Sequence, residues 1–515
     1  MLTTLFKIFN PLFLKNRSKI IGKLKKGKRN ERNIDVENHA NRILTEHKIS
    51  ADKSQKSTQK TFETLVDIVF ADNSIALQFN GMKIRHTAMC GAVIKEIMKL
   101  MSQKNDDIHM MSYGDVELPD DIENVVLGMI ARSSVEHMQL LMKYGNGYDL
   151  TSRGCTEARS ALIDYFNRFY GFYELSTSTQ NEEGTKINTS LRDLLISQCT
   201  IVNGGMRALD DFAATFVNMA FKSNRRVRFM SPDNSFPTWL AVIKIHTRDG
   251  ELGDNYSIST DPTNRLHLCR DDVETFYGAF SPNEDLKKYL DVWCITPVGN
   301  PSGTAMTPEQ LQETITTIYK ENPDAIIFLD CAYVRTLRRR TAQALLSPIF
   351  NYEKFYKNVI VLESFSKTHG LCGERIGAFF TPNSELYTIL QNYNTTVSSG
   401  NGRYKDALAL TLATPTEEEV KAVKHLHRFW AHERASLFNY LMSDRFSDVF
   451  ERKQSHITPD QLNEPLGIYI FLKLKKGIDL KEVFKRTKCL GVEVEMGSGT
   501  YVRFAVCKLK QSTFA

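Results

Sequence analysis

Apolar positions follow two different spacings along this chain of 515 residues. In its middle, brief and mostly apolar runs alternate with longer stretches whose apolar positions recur every three or four residues. CTIV precedes residues 205–221, RVRFM precedes TWLAVIKIH, and VWCIT precedes TPEQLQETITTIYKE; AIIFLD, VIVLE and IGAFF follow. Short apolar runs bounded by turn formers read as strands buried on both faces, and the segments between them are long enough for crossover helices. The expectation is an α/β domain with a mostly parallel central sheet flanked by helices.

The flanks have another character. TFETLVDIVFADNSIALQFN, TAMCGAVIKEIMKLMS, IENVVLGMIARSSVEHMQLLM and TEARSALIDYFNRFYG carry helical spacing, with the turn-rich MKYGNGYDLTSRG before the last. Residues 50–60 read as a linker and 173–190 as an exposed insertion. TPTEEEVKAVKHLHRFWAHERASLFNYLM reads as one or two helices. Thr414–Thr416 signal its start, and Glu417–Glu419 suit the positive end of the helix dipole. LGIYIFLKLKKG, IDLKEVFKRTK, VEVEM and YVRFAVC then suggest a small α+β domain. The expected division is 1–60, a basic extension; 61–170, the N-terminal part of the small domain and the entry to the large one; 171–404, the large domain; and 405–515, the rest of the small domain. Both chain ends would then build the small domain.

Composition narrows the class. An apolar fraction of 42% with 24% charged residues argues against wholesale disorder. No run approaches the eighteen apolar residues of a membrane span. The nine cysteines are odd in number and lack CxxC spacing, which disfavours a disulfide framework or cysteine-rich zinc site and favours a reducing, cytoplasmic setting. The net charge of +6 hides an asymmetry. Residues 1–60 hold 15 Lys/Arg against 5 Asp/Glu, and the remainder holds 51 against 55. The near-neutral body offers no electrostatic reason to bind nucleic acid. At the N-terminus MLTTLFKIFNPLFL precedes the basic KNRSKIIGKLKKGKR, the reverse of a secretory signal's order. A solvated extension fits this segment. So does peripheral contact with an anionic membrane, with Leu5, Phe6, Phe9, Leu12, Phe13 and Leu14 buried; organelle targeting is a third alternative.

Ligands of open α/β sheets bind beyond the carboxyl ends of the strands, which gives priority to the polar residues at those exits. Asn203-Gly204-Gly205-Met206 follows CTIV, and SPDNSFP with Phe236 follows RVRFM. PVGNPSG with Asn300 follows VWCIT, and AIIFLD ends on Asp330 with Tyr333 three residues later. Ser364-Phe365-Ser366-Lys367 follows VIVLE, with Arg375 eight residues beyond the lysine. Each alone reads equally well as a turn, a cap or core packing. Together they suit a planar, phosphorylated, nitrogen-containing cofactor that forms an imine with an amine.

Through GNPSG at 299–303, DCAY at 330–333, SFSKTHGLCGERIG at 364–377 and YVRF at 501–504, the chain resembles the fold-type-I, pyridoxal-phosphate-dependent enzymes of the class I/II aminotransferase family. NGGMRAL at 203–209, SFP at 235–237 and YDLTSRG at 148–154 carry the resemblance more weakly. It covers roughly residues 80–510 and makes 171–404 the cofactor-binding domain.

The resemblance implies roles. Lys367 would form the Schiff base with pyridoxal 5′-phosphate and then act as general acid/base. Asp330 would pair with the ring nitrogen, Asn300 and Tyr333 would hold the phenolic oxygen, and Phe236 would stack on the ring. Backbone N–H groups of Gly205 and Met206, the Ser364 hydroxyl and Arg375 would hold the phosphate. The family commonly has a hydroxylated residue where Gly205 or Met206 stands here. Arg503, with Asn300, would clamp the substrate α-carboxylate, and Gly114 resembles a glycine turn beside the substrate pocket. Tyr148 would reach the cofactor phosphate of a neighbouring subunit in a homodimer; the turn is one residue longer than usual, which leaves Tyr144 as an alternative. His369 reads as a supporting residue rather than a base. The implied activity is transfer of an amino group between an α-amino acid and a 2-oxo acid. A pyridoxal-phosphate-dependent lyase, synthase or decarboxylase uses the same machinery, and a nonenzymatic regulatory or scaffold protein is the remaining alternative.

Overall fold

The computed structural model describes residues 36–47, 58–72, 83–100, 108–112, 116–145, 152–173, 191–280, 286–351, 358–398, 402–458, 461–462, 464, 466–509, 511 and 513–514. The readings of residues 1–35, of 174–190, of Gly114 and of Tyr148 lie outside that set. No helix among the described residues is long and apolar enough to cross a membrane.

The chain divides into two compact units, residues 1–113 with 478–492, and residues 114–477 with 493–515. In the smaller unit, helices Thr58–Phe70, Lys83–Leu100 and Leu480–Thr487 accompany a parallel pairing of His109–Met110 with Cys489–Leu490. The first of these begins inside the stretch expected to be a linker, where Gln59 and Lys60 have good helix propensity. Asp479 starts the last one by accepting from the Glu482 N–H at 2.8 Å. That helix buries Leu480, Val483, Phe484 and Thr487, and Phe484 meets Phe62 edge to face at 5.1 Å.

The larger unit is built on seven strands: β1 (Cys199–Val202), β2 (Arg226–Pro232), β3 (Gly253–Ile258), β4 (Tyr289–Ile295), β5 (Ile326–Asp330), β6 (Val359–Ser364) and β7 (Gly377–Phe380). Their spatial order is β1-β7-β6-β5-β4-β2-β3. Among the described strands of this sheet, β7 is reversed, pairing antiparallel with β1 and with β6, and the remaining pairings are parallel. The expected mostly parallel sheet is therefore present, with both faces covered. The two-residue side-chain period shows in β7. Phe379 packs at 5.1 Å from Phe212, in a cluster with Trp239 and Phe328, whereas Phe380 points the other way to Phe166 at 5.9 Å. Helix Gly205–Lys222 supplies Phe212 and Phe216 to the first face. Strand β3 was absent from the sequence expectation because GDNYSI lies at the sheet edge, half exposed, and has no apolar run.

Helix Glu417–Leu441 is continuous, opened by a capping box between Thr416 and Glu419. A second, three-stranded sheet contains β8 (Tyr469–Lys473), β9 (Val492–Met496) and β10 (Gly499–Ala505), with β10 in the middle. Strands β8 and β10 are antiparallel, and Arg503 stands opposite Phe471.

Candidate active site

Parallel pairing of β5 with β6 sets Asp330 opposite Leu362, so Asp330 and Ser364 leave the sheet at the same edge. A four-residue helix, Phe365–Thr368, follows directly and carries Lys367. Ser364 caps it, its hydroxyl accepting from the Ser366 N–H at 3.2 Å. At the exit of β1, Gly204 adopts φ +75°, and helix Gly205–Lys222 starts at the next residue.

These glycines leave room that a side chain would take. A Cβ on Gly204 would lie 2.7 Å from Arg375 Nη2, and one on Gly205 would lie 3.9 Å from the Ser364 Cβ. On Gly377 it would meet the Glu363 carbonyl at 2.7 Å and the Gly205 nitrogen at 3.3 Å. A guanidinium, a hydroxyl-bearing residue and a helix N-terminus thus surround a cradle suited to a phosphate. Arg375 has φ +50°, a left-handed conformation uncommon outside glycine. Its turn is tied down on both sides. Arg375 Nη1 donates to the Cys372 carbonyl at 3.1 Å, and Lys405 Nζ donates to the carbonyls of Glu374 and, at 3.1 Å, of Arg375.

The two candidate charges for the ring lie in contrasting environments. Asp330 is half-buried, accepts from the Ala332 N–H at 3.1 Å, and has no cationic partner among the described residues. Burial pushes its carboxyl up to about 6, and the Ala332 hydrogen bond offsets only part of this. A protonated pyridine nitrogen is the kind of group that would satisfy it. Lys367 Nζ lies 3.4 Å from Cys372 Sγ. Burial works against its positive charge, but Tyr469, Cys372 and Cys507 nearby outweigh that and raise its pKa.

On the other side a polar chain crosses the site. Arg503 Nη1 donates to Asn300 Oδ1 at 2.9 Å, Asn300 Nδ2 donates to the Tyr333 hydroxyl at 3.3 Å, and the Tyr333 and Tyr469 hydroxyls are 3.1 Å apart. All four residues are buried. Tyr469 is absent from the sequence expectation: in LGIYIF it looks like an ordinary strand aromatic, and only the β8–β10 pairing sets it beside Arg503.

Behind Lys367 lies a second feature missed from sequence. Glu363, fully buried on β6, accepts from Arg335 Nε at 2.8 Å and from the Tyr170 hydroxyl. Arg335 also donates to the Ser364 carbonyl at 3.0 Å and lies 4.3 Å over the Phe365 ring. His369 is buried beside Phe365, and burial, with Arg335 nearby, keeps its pKa well below the usual histidine range. His427 donates to the Thr368 carbonyl at 2.8 Å, and burial lowers it to about 4.

Other expected residues are placed less tellingly. Phe236 and Met206 are half-buried and pack against the core cluster of Phe212 and Trp239. The Tyr144 hydroxyl donates to Glu157 at 2.6 Å, and Arg403 lies 5.0 Å over its ring.

The donor set fits a planar phosphorylated pyridine aldehyde: an amine, a carboxylate without a cation and an anion cradle share one sheet edge. Comparison with known proteins agrees. Residues 200–459 match the family profile described as aminotransferase class I and II. A histidinol-phosphate aminotransferase of Brevibacillus brevis is 27% identical over 228 residues, 44% of this chain and 52% of that protein. The chain spans about half the length of the curated relatives it matches. Among solved structures, an aspartate aminotransferase of Thermotoga maritima aligns with a TM-score of 0.55 at 15% identity, over 82% of this chain and 92% of that one. An aromatic aminotransferase of Pyrococcus horikoshii aligns with a TM-score of 0.55 at 16% identity, over 79% and 94%. The family profile spans half of the chain and the structural likeness about four fifths of it, and the chain belongs to the class I and II aminotransferases of the fold-type-I, pyridoxal-phosphate-dependent superfamily.

Proposed function

We propose that the protein is a pyridoxal-phosphate-dependent aminotransferase that moves an amino group between an α-amino acid and a 2-oxo acid, with Lys367 as the amine that attaches the cofactor. The observation that carries this reading is the gathering of Lys367, Asp330 and the Gly204–Arg375 cradle at one sheet edge. The Arg503–Asn300 pair adds a guanidinium suited to a carboxylate. When bound, the cofactor supplies an electron sink for charge developing at the substrate α-carbon. Asp330 keeps its carboxylate toward the ring nitrogen, and Asn300 and Tyr333 offer donors to the phenolic oxygen. Gly205, Met206, Ser364 and Arg375 hold the phosphate, Phe236 covers a ring face, and Arg503 orients the substrate carboxylate. Lys367, once released, moves a proton to and from the α-carbon.

The test is purification with cofactor, borohydride reduction, and peptide mass analysis, followed by a screen of amino acids against 2-oxo acids. The expected result is cofactor trapped on Lys367 and a new amino acid formed from the 2-oxo acid. Lys367→Ala should keep cofactor affinity through the cradle and lose turnover. Trapping on another lysine would overturn the assignment. Release of carbon dioxide or a β-substituent without amino transfer would make the protein a decarboxylase or lyase. A folded protein with no cofactor affinity would favour a nonenzymatic role.

A further inference from the structure

Tyr469 opens strand β8 and is 2% exposed. Three neighbours in the site depend on it. Its hydroxyl is 3.1 Å from that of Tyr333, the Arg503 guanidinium lies 4.5 Å over its ring, and its backbone supports the loop that carries Asn300. A Cβ on Gly303, at φ +62°, would lie 2.3 Å from the Tyr469 carbonyl oxygen, so that loop sits directly on this strand.

We propose that Tyr469 is a positioning residue that couples the donor to the cofactor's phenolic oxygen with the clamp for the substrate carboxylate. The inference rests on the functional reading above and assigns this residue two separable duties. The first belongs to the hydroxyl. A tyrosine oxygen has two lone pairs and one proton. Asn300 Nδ2 donates to Tyr333 at 3.3 Å, and the 3.1 Å contact with Tyr469 lets either hydroxyl donate; in the proposed arrangement Tyr469 gives the proton and fills the remaining acceptor site of Tyr333. Tyr333 then has only its proton to offer, and a hydroxyl that accepts hydrogen bonds becomes a stronger donor. The second duty belongs to the ring. A guanidinium held over an aromatic face is restrained by that ring, and Arg503, 4.5 Å over Tyr469, directs Nη1 to Asn300 Oδ1. An aliphatic side chain would fill the space without offering that cation–π contact.

The experiment compares full-length wild type, Tyr469→Phe and Tyr469→Leu, each loaded with pyridoxal phosphate. It reads the pH midpoint of the cofactor's visible absorbance change, and KM for the best amino acid found. A donor at the phenolic oxygen draws off charge that otherwise retains a nearby proton. Tyr469→Phe should therefore raise the midpoint by about half a pH unit, the worth of one modest hydrogen bond, and leave KM unchanged. Tyr469→Leu should raise the midpoint similarly and raise KM about tenfold, as expected for loss of a desolvated cation–π contact. A wild-type midpoint in Tyr469→Phe overturns the hydroxyl's role. Equal KM values in the two variants overturn the ring's role. Tyr469→Met, unbranched and closer in reach, replaces Tyr469→Leu should that variant lose the wild-type circular dichroism. Failure of the wild type to take up cofactor refutes the functional reading itself, and it shows before any variant is compared.

Discussion

Asp330 has a raised carboxyl pKa, and this has a consequence that can be measured without turnover. Its pKa in the folded, cofactor-free protein is about 6, against the ordinary 3.8. The folded state holds this proton more tightly than the unfolded chain, so the unfolded chain loses it first as pH rises. Stability of the cofactor-free protein should decline between roughly pH 4 and 6 and level off above, and Asp330→Asn should remove that segment of the profile. Pairing with a protonated ring nitrogen removes the penalty, so cofactor should stabilise the wild type more at pH 7 than at pH 5. Thermal midpoints across that range test both statements; identical profiles for wild type and variant would refute them. The places of Asp330 and Lys367 at strand exits are legible in the sequence because Asp330 closes one apolar strand and Lys367 follows another by three residues. Tyr469 is not: it lies 136 residues from Tyr333, and nothing local in LGIYIF tells a site-facing aromatic from a core one.

At the scale of elements, two junctions hold the site in shape. The first is the helix start at Gly204, whose φ of +75° and closeness to Arg375 leave no place for a methyl group. Gly204→Ala should cost about 1–3 kcal/mol in backbone strain and push the guanidinium out of the cradle. Cofactor affinity measured by titration should fall by about tenfold or more, as expected for a displaced charge-assisted hydrogen bond. The second junction is the Arg335–Glu363 pair beneath Ser364, both side chains being essentially inaccessible. Arg335→Met would strand a buried carboxylate and should cost about 3–5 kcal/mol in denaturant unfolding, while adding Glu363→Leu should recover much of the loss. No recovery in the double variant would mean that packing, not charge, dominates there. The alternation of strands and helices was readable, since doubly buried strands are apolar throughout. The antiparallel sense of β7 was not readable, because direction is set by the short connection through Arg375 and not by the strand's own residues.

For the whole molecule, the resemblance that supplies the chemistry also proposes a homodimer. Helix Asp120–Tyr144 ends with Met138, Met142 and Tyr144, which are 51%, 70% and 40% exposed, immediately before the segment that holds Tyr148. Exposed methionines next to a tyrosine suit a partner surface. Sedimentation across a wide concentration range should show a dimer, and Met142→Glu should weaken it by an order of magnitude or more, as a charge placed in an apolar contact does. An active monomer at every concentration would exclude the arrangement. The smaller unit joins residues 1–113 to 478–492 through pairings such as His109 with Cys489, which no local pattern in the sequence announces.

The hydrogen bond from Arg503 to Asn300 means that the proposed clamp is never a bare cation. One of its nitrogens, Nη1, already donates to the neutral amide oxygen of Asn300. On the proposed reading, carboxylate binding would bring a full negative charge to a buried guanidinium that otherwise faces an amide dipole. Under the proposed function, preference for acids over their uncharged isosteres would come from that charge, met by an arginine that Asn300 already orients.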